Sequence, residues 1–158
     1  MKKFSIFISL FIISSTICNA SDHLGLWYTK GKNCVINIKK NNSKYFGEMV
    51  WLKNPYDKDG NPRVDINNKD KSQRDQSALG LLILKDLILH GNALKSGEIY
   101  DPRNGKSYNA IIKHVDGQLH VKGYMGFAFF GRTEIWNRCN SLPDIVNRSN
   151  KLEICNNK

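Results

Sequence analysis

The chain has 158 residues, 41% of them hydrophobic and 24% charged, with 24 Lys and Arg against 14 Asp and Glu and a formal charge of +10. That length suits one domain with a real core and leaves no room for a second of ordinary size. No dense basic run interleaved with aromatics accompanies the charge, which argues against nucleic acid as a partner; enrichment in Lys, Asn and Ile together produces such a balance by composition alone.

In chain order, Lys2 and Lys3 precede the apolar run Phe4 to Ile13, and Cys18-Asn19-Ala20 supplies small residues. This is the pattern of a secretory signal cleaved before Ser21. The run falls short of the ~20 residues that a membrane-spanning helix needs. Ile17 is unlike the small residue that precedes a lipidated cysteine. Residues 21–158 are therefore expected as an exported form, in the periplasm or secreted. Cleavage removes two of the 24 basic residues and none of the 14 acids, leaving +8. It also leaves three cysteines, Cys34, Cys139 and Cys155. An oxidising compartment then predicts one disulfide and one free thiol. All three pairings fit; the expected one ties Cys155 to Cys34 or Cys139. Three scattered cysteines without a CxxC are a poor zinc site.

Strands are expected at 24–29, 34–40 and 44–52, each alternating or rich in β-branched and aromatic residues and separated by Lys30-Gly31-Lys32-Asn33 and Asn41-Asn42-Ser43. Residues 54–79 are a long polar stretch with Asn54-Pro55, Asp59-Gly60 and Asn61-Pro62 turn signals. Connections of this length are usually functional or disordered. Residues 80–89 are apolar except for Lys85 and Asp86 and read as a bulged strand, although a buried helix also fits. Further strands follow at 93–100, 106–115, 118–124 and 131–138, with Asp116-Gly117 as the clearest hairpin turn. Eight strands in meander order predict an all-β, up-and-down barrel with a long loop after the third strand. Such a barrel is filled by side chains or holds one small ligand. Beyond residue 140, Ser141 as N-cap with Leu142, Ile145, Val146 and Ser149 on one face predicts a short C-terminal helix. The expected organisation is a signal at 1–20, the barrel at 21–140 and a tail at 141–158.

Several strings fall in a recognisable order: Gly25-Leu26-Trp27, Val50-Trp51-Leu52-Lys53, Asp65-Ile66-Asn67-Asn68, Leu79-Gly80-Leu81, Ile99-Tyr100-Asp101-Pro102, Gly105-Lys106-Ser107-Tyr108, Gly123-Tyr124 and Phe130-Gly131-Arg132-Thr133. On these the chain resembles the exported bacterial family called domain of unknown function 2147 (DUF2147), from about Gly25 to Arg138. The resemblance implies a calycin-like, lipocalin-like barrel in which a basic residue of the last strand, here Arg132 or Arg138, packs across Trp27. That family has no established activity, so a fold and a compartment are all it implies.

Among candidate sites, Trp51, Tyr100, Tyr108, Tyr124 and Trp136 each lie on an expected strand. Turned inward, they would line an apolar cavity with a few hydrogen-bond donors; ordinary sheet packing is the competing reading. The long loop can deliver Asp65 and Asn67 to such a pocket. Gly126-Phe127-Ala128-Phe129-Phe130-Gly131 is expected to plug a barrel end, with a portal, membrane or partner contact as the alternative. Asp57-Lys58-Asp59-Gly60-Asn61 copies the start of an EF-hand loop, but Pro62 replaces its glycine and Asn68 its last acidic ligand, so a polar turn is expected. His23, His90, His114 and His120 are scattered, and His114 and His120 are expected at the surface. No nucleophile elbow, Cys–His pair, phosphate loop or zinc spacing appears, so nothing points to catalysis, a metal or a cofactor. The functional expectation is a barrel that binds a small apolar or amphipathic molecule inside. The alternative is a cavity-less envelope module contacting protein or membrane.

Overall fold

A computed structural model describes residues 20–143. A 3-10 turn at Ala20–His23 leads into β1 (Gly25–Tyr28), β2 (Cys34–Asn41), β3 (Lys44–Leu52), β4 (Leu82–His90), β5 (Ala93–Asp101), β6 (Lys106–Val115), β7 (Gln118–Tyr124) and β8 (Arg132–Arg138). Each strand pairs antiparallel with the next, and β8 returns to β1 with Trp27 opposite Arg138 and Tyr28 opposite Asn137. The barrel is closed. Its hairpins follow from local chemistry: Asp116 and Gly117 both adopt positive φ, as a two-residue turn matched to the strand twist requires. The signal segment, the expected tail helix and Cys155 lie outside the described residues.

Alternation decides the core. Trp27, Ile36, Leu84, Leu87, Leu94, Ile112 and Leu119 are all 0% exposed and belong to one cluster. A side chain beside a void wide enough for water would show exposure, so these residues close-pack against one another. Each fully buried Leu or Ile contributes roughly 1.5–3 kcal/mol.

Trp27 and Arg138 shut one end. The guanidinium carbon of Arg138 sits 3.9 Å from the Trp27 ring centroid. Its two terminal nitrogens donate to the Leu24 and Asp22 carbonyls, while the Trp27 indole donates to His23 O at 3.0 Å. Of the two expected arginines, Arg138 fills this role; Arg132 lies on the surface, 3.9 Å from Glu134. The expectation of a surface His114 fails here. His114 shares the inward face with Ile112, is half-buried, and its ring centroid lies 6.1 Å from that of Trp27 and 6.2 Å from that of His23.

Four connections, after β1, β3, β5 and β7, cluster at the opposite end. The longest, residues 53–81, is not irregular. Bridges Tyr56–Pro62 and Val64–Ser77, with Asp65 N donating to Gln76 O and Ala78 N to Arg63 O, fold it back as a hairpin-like flap. Asp57 caps its own turn, its carboxylate accepting from the Asp59 and Asn61 amides at 2.9 Å. The expected Phe plug is not formed. Phe127, Phe129 and Phe130 are 80–86% exposed on a 3-10 turn that ends at Gly131, where a Cβ would meet Gly123 O and Tyr124 Cβ at 2.8 Å.

Candidate functional site

Register shifts in β4 and β5 determine which side chains meet the flap. Asp86 and Ser96 adopt positive φ, and the β5–β6 register slips between Leu94 and Gly97. Leu84 then pairs with Ile99 inside the barrel, while Lys85 pairs with Glu98 outside. Tyr100, next to Ile99, therefore stands on the outer face, where the flap covers it. Its exposure is 8% and that of Asp65 on the flap is 1%.

The two form the centre of the site. The Tyr100 hydroxyl donates to both Asp65 carboxylate oxygens, at 2.8 and 2.7 Å, and Asn68 Nδ2 donates to Asp65 Oδ2 at 2.7 Å. Burial, the Asp65 bond and the charges of Asp65 and Asp101 push the Tyr100 hydroxyl up to about 12, so it remains a donor. Lys85 Nζ lies 5.8 Å from the Tyr100 ring centroid, within range of a cation–π attraction.

The flap is pinned to the β5–β6 turn at a second place. Asn67 Nδ2 donates to the carbonyls of Pro102 and Arg103 at 3.1 and 3.2 Å. Gly105, at φ +65°, has Asn67 O where a Cβ would stand, 1.8 Å away. Only glycine permits that approach. Within the flap, Asn68 Oδ1 accepts from the Asp70 amide and Asn68 O accepts from Arg74 Nε. The roof is therefore internally braced.

Between flap and sheet lies a partly open cavity of about 570 Å³, a size ordinary for small-molecule sites. Leu81, Leu82 and Tyr100 give it apolar surface. Asn68, Gln73, Gln76 and Ser107 supply neutral hydrogen-bonding groups, and Asp65, Asp70, Lys69 and Lys85 supply charges of both signs. No group of three or more His, Cys, Asp or Glu converges among the described residues.

The remaining residues singled out from the sequence are dispersed. Trp51 pairs with Val35 beyond a register shift and meets Tyr28 edge-on at 6.2 Å, away from the cavity. Tyr108 lies beside Gly123 and accepts from Asn104 Nδ2 at 3.1 Å. Tyr124 pairs with exposed Asn109. Trp136 is 2% exposed, and its indole nitrogen has no partner among the described residues. Among the described residues Cys34 and Cys139 are not bonded to each other, and the expected bond of one of them to Cys155 lies outside the described residues. Cys34 Sγ lies 3.2 Å from Thr29 Oγ1, and burial pushes its thiol up, away from a reactive thiolate. Cys139 Sγ donates to Ser141 O at 2.9 Å.

Lys85, Ser107, Gln73 and Gln76 were not singled out from the sequence. The only signal was Lys85 itself, a cation interrupting an apolar run.

A family model described as "Uncharacterized protein conserved in bacteria (DUF2147)" matches residues 25–138, which hold all eight strands and the flap. The chain belongs to that family. A solved structure described as "Protein HP1028 from the human pathogen Helicobacter pylori belongs to the lipocalin family" is similar over 82% of this chain and 88% of that one, with a TM-score of 0.63 and 20% identity. At that identity the likeness shows a shared lipocalin-like fold. No curated protein matches. Within this DUF2147 barrel, the Asp65–Asn68, Ile99–Pro102 and Gly105–Tyr108 strings meet at one place, where the flap is fastened to β5 and β6.

Proposed function

We propose that this protein is an exported binding protein that takes a small amphipathic molecule in the cleft between the flap and the outer face of β4–β6. The observation that carries the reading is the cavity of about 570 Å³ with apolar, neutral hydrogen-bonding and charged groups around Tyr100. The lipocalin-like fold supports a binding role in general. The close-packed side chains at mid-barrel favour the cleft over the interior as the place of binding. Leu81, Leu82 and the Tyr100 ring would bury the apolar part, at about 25 cal/mol per Å². Lys85, Ser107 and the flap amides would orient the polar part. Tyr100 holds Asp65 in place rather than acting as acid or base, since its hydroxyl is already engaged.

Native mass spectrometry of protein isolated from its own envelope, followed by extraction, tests this. Wild type is expected to carry a stoichiometric small molecule, and Ser107→Trp, which fills the cleft opposite Tyr100, to lose it with an unchanged melting temperature. A molecule retained fully by Ser107→Trp, or a clean apo mass for the wild type across isolation conditions, overturns the reading.

A further inference from the structure

Phe127, Phe129 and Phe130 project into solvent at 80–86% exposure, with Met125 at 66% beside them, at the flap end of the barrel. Their presentation is built rather than frayed. Gly126 takes φ +67°, Gly131 has no room for a Cβ, and Phe130 N and Gly131 N donate back to Phe127 O and Ala128 O. Phe129 and Phe130 meet edge-on at 5.4 Å. An apolar cluster this exposed marks a contact surface.

The charge of the loops around the phenylalanines indicates the kind of partner. The four connections around the phenylalanines contain six Lys (Lys30, Lys32, Lys53, Lys58, Lys69, Lys71) and three Arg against five Asp, of which Asp65 is buried. The described segments at the opposite end contain Asp22 and Asp116 and no Lys or Arg. The contrast is one of loops: near the opposite end the strands carry Lys39 and Lys44, held by Glu48 and Asp86, and also Lys40, Lys95, Lys113 and Arg138. Arg132, largely exposed, flanks the phenylalanines directly. Cations distributed over three separate loops around an apolar tip match an extended anionic plane better than a single complementary patch on a protein.

We propose that this end of the barrel docks on an anionic lipid membrane, with the Phe127–Phe130 turn entering the interface and the surrounding lysines and arginines facing the headgroups. Apolar insertion and electrostatic attraction then act together, as in other interfacial anchors. The flap shares this end, so docking would bring the roof of the cleft close to the bilayer.

The test is flotation with vesicles of phosphatidylethanolamine and phosphatidylglycerol, compared with phosphatidylcholine alone. Protein is produced from the full chain, and its intact mass fixes where the purified form begins. Wild type is expected to bind the anionic vesicles, to bind the neutral ones far less, and to be released by salt. Phe127→Ser with Phe129→Ser is expected to weaken binding about tenfold or more, since each ring contributes on the order of a tenfold change when inserted. Lys30→Gln with Lys32→Gln is expected to weaken it by about fivefold per lysine on anionic vesicles. Unchanged near-ultraviolet circular dichroism of both variants excludes misfolding, because none of the four side chains is buried. Absence of wild-type binding to anionic vesicles, or undiminished binding by the double Phe variant, overturns the proposal. Ser107→Trp is expected to bind vesicles as wild type does, so failure of the cleft reading leaves docking testable by itself.

Discussion

Replacing Tyr100 with Phe isolates the interaction on which the cleft depends. The ring and its packing stay; one hydroxyl is removed. That hydroxyl is shared between both oxygens of Asp65, a carboxylate 1% exposed whose remaining side-chain donor is Asn68 Nδ2 at 2.7 Å. Losing a hydrogen bond to a buried charge is worth about 1.5–3 kcal/mol, so a loss of about 2 kcal/mol in unfolding free energy is expected. For a domain of this size that lowers Tm by roughly 6–10 °C. Urea titration with an unchanged slope is the assay, repeated for Asp65→Asn and the double variant, whose coupling should exceed about 1 kcal/mol. The pH profile gives a second readout. The Tyr100 hydroxyl is raised to about 12 in the fold, from an ordinary 10, so the folded state retains its proton longer than the unfolded chain. That contribution is complete below pH 10 and is lost as pH rises toward 12; Tyr100→Phe should abolish this alkaline loss. A change under about 0.5 kcal/mol at neutral pH, within the range of ordinary surface substitutions, would refute the clamp.

Three further outcomes follow from the same geometry. Gly105→Ala places a Cβ 1.8 Å from Asn67 O at a positive φ, and should cost at least about 2 kcal/mol in denaturant melts; near-neutral behaviour would mean that the flap is not fastened there. Arg138→Ala removes the guanidinium over Trp27 and the caps on Leu24 O and Asp22 O, and should lower stability by about 1–2 kcal/mol, with Arg138→Lys recovering only part of it. His23 is 0% exposed, and burial, then His114, lower its pKa, against weaker opposition from Asp22 and the Ile112 backbone. The unfolded chain therefore takes up this proton first, so the stabilisation is complete above about pH 6.5 and declines as pH falls below it. His23→Leu should flatten that acid slope relative to wild type, and an identical slope would count against the assignment.

Much of the barrel was legible because its strands obey simple rules. β3, β6 and β7 lie at the residues that alternation and turn chemistry predict, and Asp116-Gly117 forms the hairpin that its composition demands. The arginine over Trp27 was narrowed to two but not chosen, since the sequence does not say which of Arg132 and Arg138 lies opposite the ring. The facing of the aromatic residues was not legible. Counting alternate residues assumes unbroken registers, whereas shifts near Val35, at Leu84–Leu82 and between Leu94 and Gly97 exchange inner and outer faces. Tyr100 consequently faces the flap, and Trp51 faces Tyr28. Asp65 and Tyr100 were each picked out by residue type, but a bond spanning 35 positions depends on a flap whose polar composition carries no periodicity. His114 departs from its expected surface position for a simpler reason: a polar side chain at an inward position near a barrel end packs on the rings there.

Methyl-resolved NMR during titration with the small molecule extracted from the wild-type protein tests the cleft most directly. Shifts concentrated at Leu81 and Leu82, with Leu94, Ile112 and Leu119 undisturbed, are the expected result. Shifts concentrated at Leu94, Ile112 and Leu119 would place the ligand inside the barrel and contradict the account.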